Sequence, residues 1–298
     1  MQQYRKAVIL ILVLLMLGWT SATAQKLKVF ISVDMEGITG LVHGDQVGRG
    51  GSDYQMARRW MTEEANAAIQ GALDAGATEV IVNDSHGDMR NLILADLHPA
   101  ATLITGSPKP YSMMQGLDAT FDAVVYVGYH PREGTYDGVL DHTMSGGTVY
   151  YVKVNGVEMP ELGLNSLIAG YYNVPVVFIA GDKAACEQAK ELLGDNIATV
   201  AVKEGIGKRA AKSMPQKKAQ EAIRAQVKVG IDKRKEMRIY KLNAPYTFEM
   251  AYFRTSQAEG PSLIPGVKRL NPKTVQFETK DYLEGFKLMR ALISLGND

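Results

Sequence analysis

From residue 27 to residue 202 the chain alternates two patterns that exclude one another locally. Short β-branched apolar runs are followed by longer stretches with helical spacing. The first run, 27–33, reads Leu-Lys-Val-Phe-Ile-Ser-Val and ends in Asp34. A Gly-rich loop follows at 48–51. Ser52 or Asp53 can cap a helix whose apolar side reads Ala57, Met61, Ala65, Ala68 and Ala72, with Gly76 as its stop. Residues 79–82, 123–127, 149–154, 174–180 and 198–202 read as further strands, with a shorter one at 103–104. Asn155-Gly156 reads as a hairpin turn, and 161–172 and 183–193 as helices. The alternation predicts an α/β fold, a mostly parallel sheet flanked by helices. Such sheets gather their ligand sites at the carboxyl ends of the strands.

Past Val202 the pattern changes. Residues 213–229 form a charged amphipathic helical pattern, 237–242 and 247–253 resemble antiparallel strands, 275–278 is a strand and 281–295 a closing helix. The chain therefore divides into a signal peptide at 1–24, a metal-binding α/β catalytic domain at 25–204, and a smaller C-terminal α+β domain at 205–298. The signal peptide rests on Arg5 and Lys6, the apolar run 7–19, and Ala22-Thr23-Ala24 before Gln25. That run is short for a membrane span. The expectation is an exported protein, periplasmic or extracellular, with no stable membrane partner after cleavage. A formal net charge of +1 over 298 residues offers no field to hold nucleic acid. Cys186 is the only cysteine, so no intrachain disulfide forms, and its Ala-rich helical setting marks it as a packing thiol.

Residues able to bind metal follow one strand after another. Asp34 and Glu36 come after the first, Asp84 and His86 after Val82, and His130 after Val127; Asp141 and His142 lie in the next loop, and Glu161 opens a helix. Three of the five histidines fall at these places. Extended backbone would point Asp34 and Glu36 the same way, and two such carboxylates repel unless a cation or proton lies between them. Pro131 holds His130 extended. Each residue alone has an ordinary structural explanation: an acidic loop, a hydrogen-bonding loop histidine, a first-turn carboxylate. Together, two histidines and three carboxylates make a mixed nitrogen and oxygen set that suits zinc, with manganese and cobalt as alternatives. Five ligands exceed what one zinc uses, whereas two Zn²⁺ per chain sharing a carboxylate would employ them. Three carboxylates and a bridging hydroxide balance the charge of two such ions.

These motifs, Ser32-Val33-Asp34-Met35-Glu36-Gly37, Asn83-Asp84-Ser85-His86, Gly128-Tyr129-His130 and Glu161-Leu162-Gly163-Leu164-Asn165, resemble the zinc-dependent D-aminopeptidases of peptidase family M55. The resemblance runs from about Lys28 to the end and is densest through Ala180. It implies that Asp34 bridges two metals, with Glu36 and His130 completing one site and His86 and Glu161 the other. It further implies a catalytic role for His142, peptides of D-amino acids as substrates, and a homo-oligomer, a ring-stacked decamer. The expected function is removal of N-terminal, D-configured residues from short peptides through zinc-activated water. An exported solute-binding protein and another two-metal hydrolase, an amidase or phosphoesterase, are the alternatives.

Overall fold

The β-branched runs pair side by side as the alternation requires. The computed structural model describes residues 26–297; the expected signal segment at 1–24 lies outside them. Twelve strands are present among the described residues: β1 Lys28–Val33, β2 Glu79–Asp84, β3 Ala101–Ile104, β4 Ala123–Tyr129, β5 Val149–Val154, β6 Val157–Glu158, β7 Val176–Asp182, β8 Ala198–Gly207, β9 Ala210–Ser213, β10 Tyr246–Tyr252, β11 Lys268–Asn271 and β12 Thr274–Thr279. The principal helices are α1 Tyr54–Asp74, α2 Glu161–Tyr171, α3 Lys183–Leu193, α4 Gln216–Asp232 and α5 Tyr282–Leu295.

Seven strands form one sheet in the order β3-β2-β1-β4-β7-β8-β9, parallel throughout except for β9. The chain winds outward from β1 through β2 to β3, then returns to β4 and proceeds the other way. The switch point therefore lies between β1 and β4, where an open α/β sheet leaves its crevice. β1 and β4 are buried at every residue but Lys28 because both faces of the sheet are covered. On one face α1 and α4 pack together over Ile31, Val33, Val125 and Phe178. On the other, Phe30, Tyr126 and Ile179 join a core that runs through α2 and α3 to the second sheet and α5.

The second sheet is antiparallel, in the order β11-β12-β10-β5-β6. Its membership cuts across the expected division at residue 204. β5 and β6 come from before that point, while β9 and α4, from after it, complete the first sheet and its helical cover. Residues 237–242 do not pair as the expected strand. Their apolar alternation serves packing instead: the Tyr240 carbonyl lies so close to α2 that a Cβ on Gly170 would come within 1.9 Å of it. α4 starts at Gln216 rather than 213 because Pro215 precedes it and β9 occupies the residues before.

Candidate metal centre

The carboxyl end of β1 is held against β4 by backbone approach that only glycine permits. Asp34 N–H donates to the Val127 carbonyl at 2.8 Å and Gly37 N–H to the Gly128 carbonyl at 2.7 Å. A Cβ on Gly37 would lie 2.0 Å from the Tyr129 oxygen, and one on Gly128, whose φ is +72°, 2.1 Å from the Asp34 oxygen. β1 ends at Val33, so Asp34 and Glu36 sit in a turn rather than on extended backbone. Even so, both carboxylates face His86 from β2's loop. The turn is tied from beneath by Lys203 of β8, whose ammonium donates to the carbonyls of Glu36, Ile38 and Leu41.

All three histidines expected in the site share one arrangement: one ring nitrogen rests on a backbone carbonyl and the other points into the carboxylate cluster. His86 Nε2 lies 2.8 Å from the Val47 oxygen and His86 Nδ1 lies 2.9 Å from Glu36 Oε2 and 3.4 Å from Asp34 Oδ1. His130 Nδ1 lies 3.0 Å from the Pro131 oxygen, with Nε2 3.4 Å from Asp34 Oδ2 and 3.5 Å from Glu161 Oε1. His142 Nδ1 lies 2.9 Å from the Leu140 oxygen, with Nε2 3.5 Å from Glu161 Oε1. A carbonyl can only accept, so each contacted nitrogen carries a proton, and the inward nitrogen is the one that would offer a lone pair to a metal once its own proton has left. Metal-ligating histidines are oriented in this way by their outer hydrogen bonds. The His130 and His142 rings stack at 3.9 Å.

Burial makes this cluster expensive without a cation. Asp34, Glu36, His130 and Glu161 are all buried. Burial, reinforced by Glu36, pushes Asp34 up to about 7. Burial pulls His130 down, but Glu161 and Asp34 outweigh it and hold the imidazole at about 10; Glu36 and Asp34 raise His86 in the same way. Protons thus stand in for positive charge, and bound metal would displace them. Asp34 Oδ2 and His130 Nε2 are buried with no hydrogen-bond partner, although they face each other across 3.4 Å. Orphaned atoms of this kind need an explanation, and a cation between them supplies one. The residues therefore fit a metal site. The closest donor sets are Asp34, Glu36 and His86, and His130, His142 and Glu161. This grouping differs from the pairing implied by the resemblance, which sets Glu36 with His130 and His86 with Glu161. Asp34 turns one oxygen to each side in the structure, and Glu161 is shared between His130 and His142.

The other acids of these loops support the site from outside. Asp84 accepts from the Asn91 and Leu92 amides and from the Asn91 side chain, which in turn donates to the His86 carbonyl at 2.6 Å. It therefore shapes the loop that presents His86 without touching the ring. Asp141 is used by the Gly134 amide and Lys208. His43 caps the one-turn helix Gly44–Val47, the segment that supplies the Val47 carbonyl. Asn165 donates to the Tyr129 hydroxyl, which meets Ser32 and Ser85 in a buried chain of hydroxyls below the site. Met89, Ser112 and Met144 line the cavity with left-handed backbone, a local strain typical of functional loops. The cavity, about 230 Å³, opens over Asp34, Glu36, His86, His142 and Glu161 and also includes Arg290 from α5. Sequence reasoning missed Lys203 and Arg290. Their only signals were a charge directly after an apolar run, Ala-Val-Lys in β8, and a charge between apolar pairs, Leu-Met-Arg-Ala-Leu in α5.

A family model described as Peptidase_M55, D-aminopeptidase, matches residues 27–291. The D-aminopeptidase of Bacillus subtilis (strain 168) is 39% identical over 270 residues, covering 90% of this chain and 97% of that protein. The solved structure of the Zn-dependent D-aminopeptidase DppA from Bacillus subtilis, described as a self-compartmentalizing protease, matches with a TM-score of 0.88 at 39% identity, over 91% of this chain and 98% of that one.

Proposed function

The chain belongs to the peptidase M55 family of D-aminopeptidases, and from that premise we propose that it removes the N-terminal, D-configured residue from short peptides with the help of two zinc ions. One observation carries the reading: three imidazoles, each pinned by a carbonyl, turn their other nitrogens to three buried carboxylates. Asp34, Glu36, His86, His130 and Glu161 would hold the metals, with Asp34 placed to serve both. When bound, zinc lowers the pKa of water and polarises a carbonyl.

The chain's own groups do the rest. Asp34, Glu36 and Glu161 line the cavity floor, where a carboxylate oxygen not engaged by metal would accept a hydrogen bond from a substrate's free amine. The carbonyl-bound tautomer of His142 leaves Nε2 as the atom through which a proton passes. Hydrolysis moves one proton from the attacking water to the leaving nitrogen, and His142 Nε2 is positioned to carry it. Burial and the neighbouring His130 lower the His142 pKa, which keeps its ring in the base form. His142→Ala should therefore retain nearly all its zinc while turnover falls by roughly a hundredfold or more. Loss of zinc in that variant would make His142 a ligand and refute this division of labour.

Elemental analysis of the purified protein, beside hydrolysis of D- and L-alanyl nitroanilides and of phosphate esters, tests the function. Two zincs per chain and preferential D-alanyl cleavage are expected. Phosphate ester turnover without peptide cleavage would favour the phosphoesterase alternative, and metal without turnover a solute-binding protein. The self-compartmentalizing habit of the solved relative supports a homo-oligomer, the decamer implied by the resemblance, which light scattering measures. Export is proposed from residues 1–24 alone; a chain that keeps them and stays in the cytoplasm would refute it.

A further inference from the structure

Two adjoining spaces differ in their charged side chains, and Arg290 lines both. The cavity over the proposed metal ligands is lined by three carboxylates. A groove of about 420 Å³ beside it shares Met89, Ser112 and Arg290 with that cavity and adds Lys109 and Lys287, with no carboxylate in its lining. A short peptide carries a carboxylate at the end away from its amine, and the cationic lining of the groove suits that end.

The three cations are not equally free. Lys287 is paired with Glu284 at 2.6 Å. Lys109 donates to the Asn83 side chain and to the Asp84 carbonyl at 2.7 Å. Arg290 is half-buried at the junction of the two spaces, and among the described residues its side chain reaches only Met144 Sδ, at 4.0 Å. A guanidinium has five N–H donors in a planar fork that matches a carboxylate. Here that fork is left almost unused beside the reaction site.

We propose that Arg290 receives the C-terminal carboxylate of a dipeptide substrate, so that recognition requires a free acid at one end as well as a free amine at the other. The inference rests on the aminopeptidase reading above. An extended chain advances roughly 3.5 Å per residue, so a dipeptide's carboxylate lies about one residue beyond its scissile carbonyl. That reach keeps it in the same cavity as Arg290.

The test compares D-alanyl-D-alanine with its C-terminal amide, on wild-type protein, Arg290→Met and Arg290→Lys. Wild type should favour the free acid by about tenfold or more in kcat/KM, chiefly through KM, as expected for a charge-assisted hydrogen-bonded pair. Arg290→Met should bring that preference to within about twofold, and Arg290→Lys should keep part of it. Calorimetric titration of both compounds into zinc-loaded His142→Ala, with and without Arg290→Met, reads the same selectivity as binding. Equal treatment of acid and amide by wild type overturns the proposal, as does an equal loss on both in Arg290→Met. If neither compound is cleaved yet the free acid still binds through Arg290, the aminopeptidase reading fails and the carboxylate site stands.

Discussion

Asp34→Asn should fold, bind no zinc and lose turnover by roughly a thousandfold or more, since it removes the carboxylate that would serve both of the proposed metals. The substitution is nearly isosteric. The Asn oxygen can keep the Met35 amide hydrogen bond, 2.8 Å in the wild type, while the amide nitrogen takes the place of Oδ2 and donates to His130 Nε2 once that ring, without the Asp34 charge to hold its second proton, is neutral. What disappears is a buried negative charge.

That charge is a liability whenever no cation is present, because burial and Glu36 together push Asp34 up to about 7. The stability ranking should therefore invert with metal. In chelator, Asp34→Asn should melt at or above the temperature of wild type. In zinc, wild type should rise above it, because a ligand that binds only the folded state stabilises by mass action. Thermal unfolding in both conditions decides it. Zinc binding by the variant at wild-type stoichiometry would remove Asp34 from the proposed centre. A variant less stable than wild type in chelator would mean that the carboxylate holds the turn by more than its hydrogen bond from the Met35 amide.

The parts of this centre that were readable in the sequence are those set by chain direction. Apolar runs ending in Asp34, Asp84 and Tyr129 mark the carboxyl ends of β1, β2 and β4, and a parallel sheet must bring those ends to one edge. His86 and His130 follow from the same logic. Glu161 was legible as a residue but not by this route, since it opens α2 after the β5–β6 hairpin of the other sheet. Which strand joins which sheet is a long-range choice, and that is why the pattern change at 202 misplaced β5, β9 and α4 relative to the sheets they complete. The segment at 237–242 shows the same limit: alternation reports burial on one side, not whether the neighbour is a strand or a helix. Arg290 lay outside reach because α5 closes the chain more than a hundred residues after the loops whose cavity it enters. Lys203 was hidden for a different reason. In the sequence it falls just past the strand expected at 198–202, where a lysine is ordinarily solvated, and only the fold carries β8 on through it and shows three carbonyls turned toward it.

Lys203→Met carries the second large effect, and it separates scaffold from chemistry. Lys203 is 2% exposed, and burial depresses it to about 8 against the support of Asp182 and Glu64. Methionine keeps much of the stem and removes the ammonium, leaving the carbonyls of Glu36, Ile38 and Leu41 without this donor. A buried acceptor left unsatisfied costs about 1–3 kcal/mol, partly offset by relief of the buried charge, so a net loss of about 3–5 kcal/mol is expected. Because the freed turn carries Glu36, zinc affinity should fall by roughly 10–100-fold although no proposed ligand is changed. The sign with pH is distinctive. Between about 8 and the ordinary lysine value of 10.5 the unfolded chain binds a proton that the folded Lys203 has released, so this group adds stability as pH rises through that window. Methionine lacks the contribution, and the gap between wild type and variant should widen above pH 8. Urea unfolding at pH 7 and pH 9.5 in chelator measures it. A gap that narrows in alkali would show that the folded state favours the ammonium over the free amine, against the depressed value, and unchanged zinc affinity would show that Lys203 does not hold the turn.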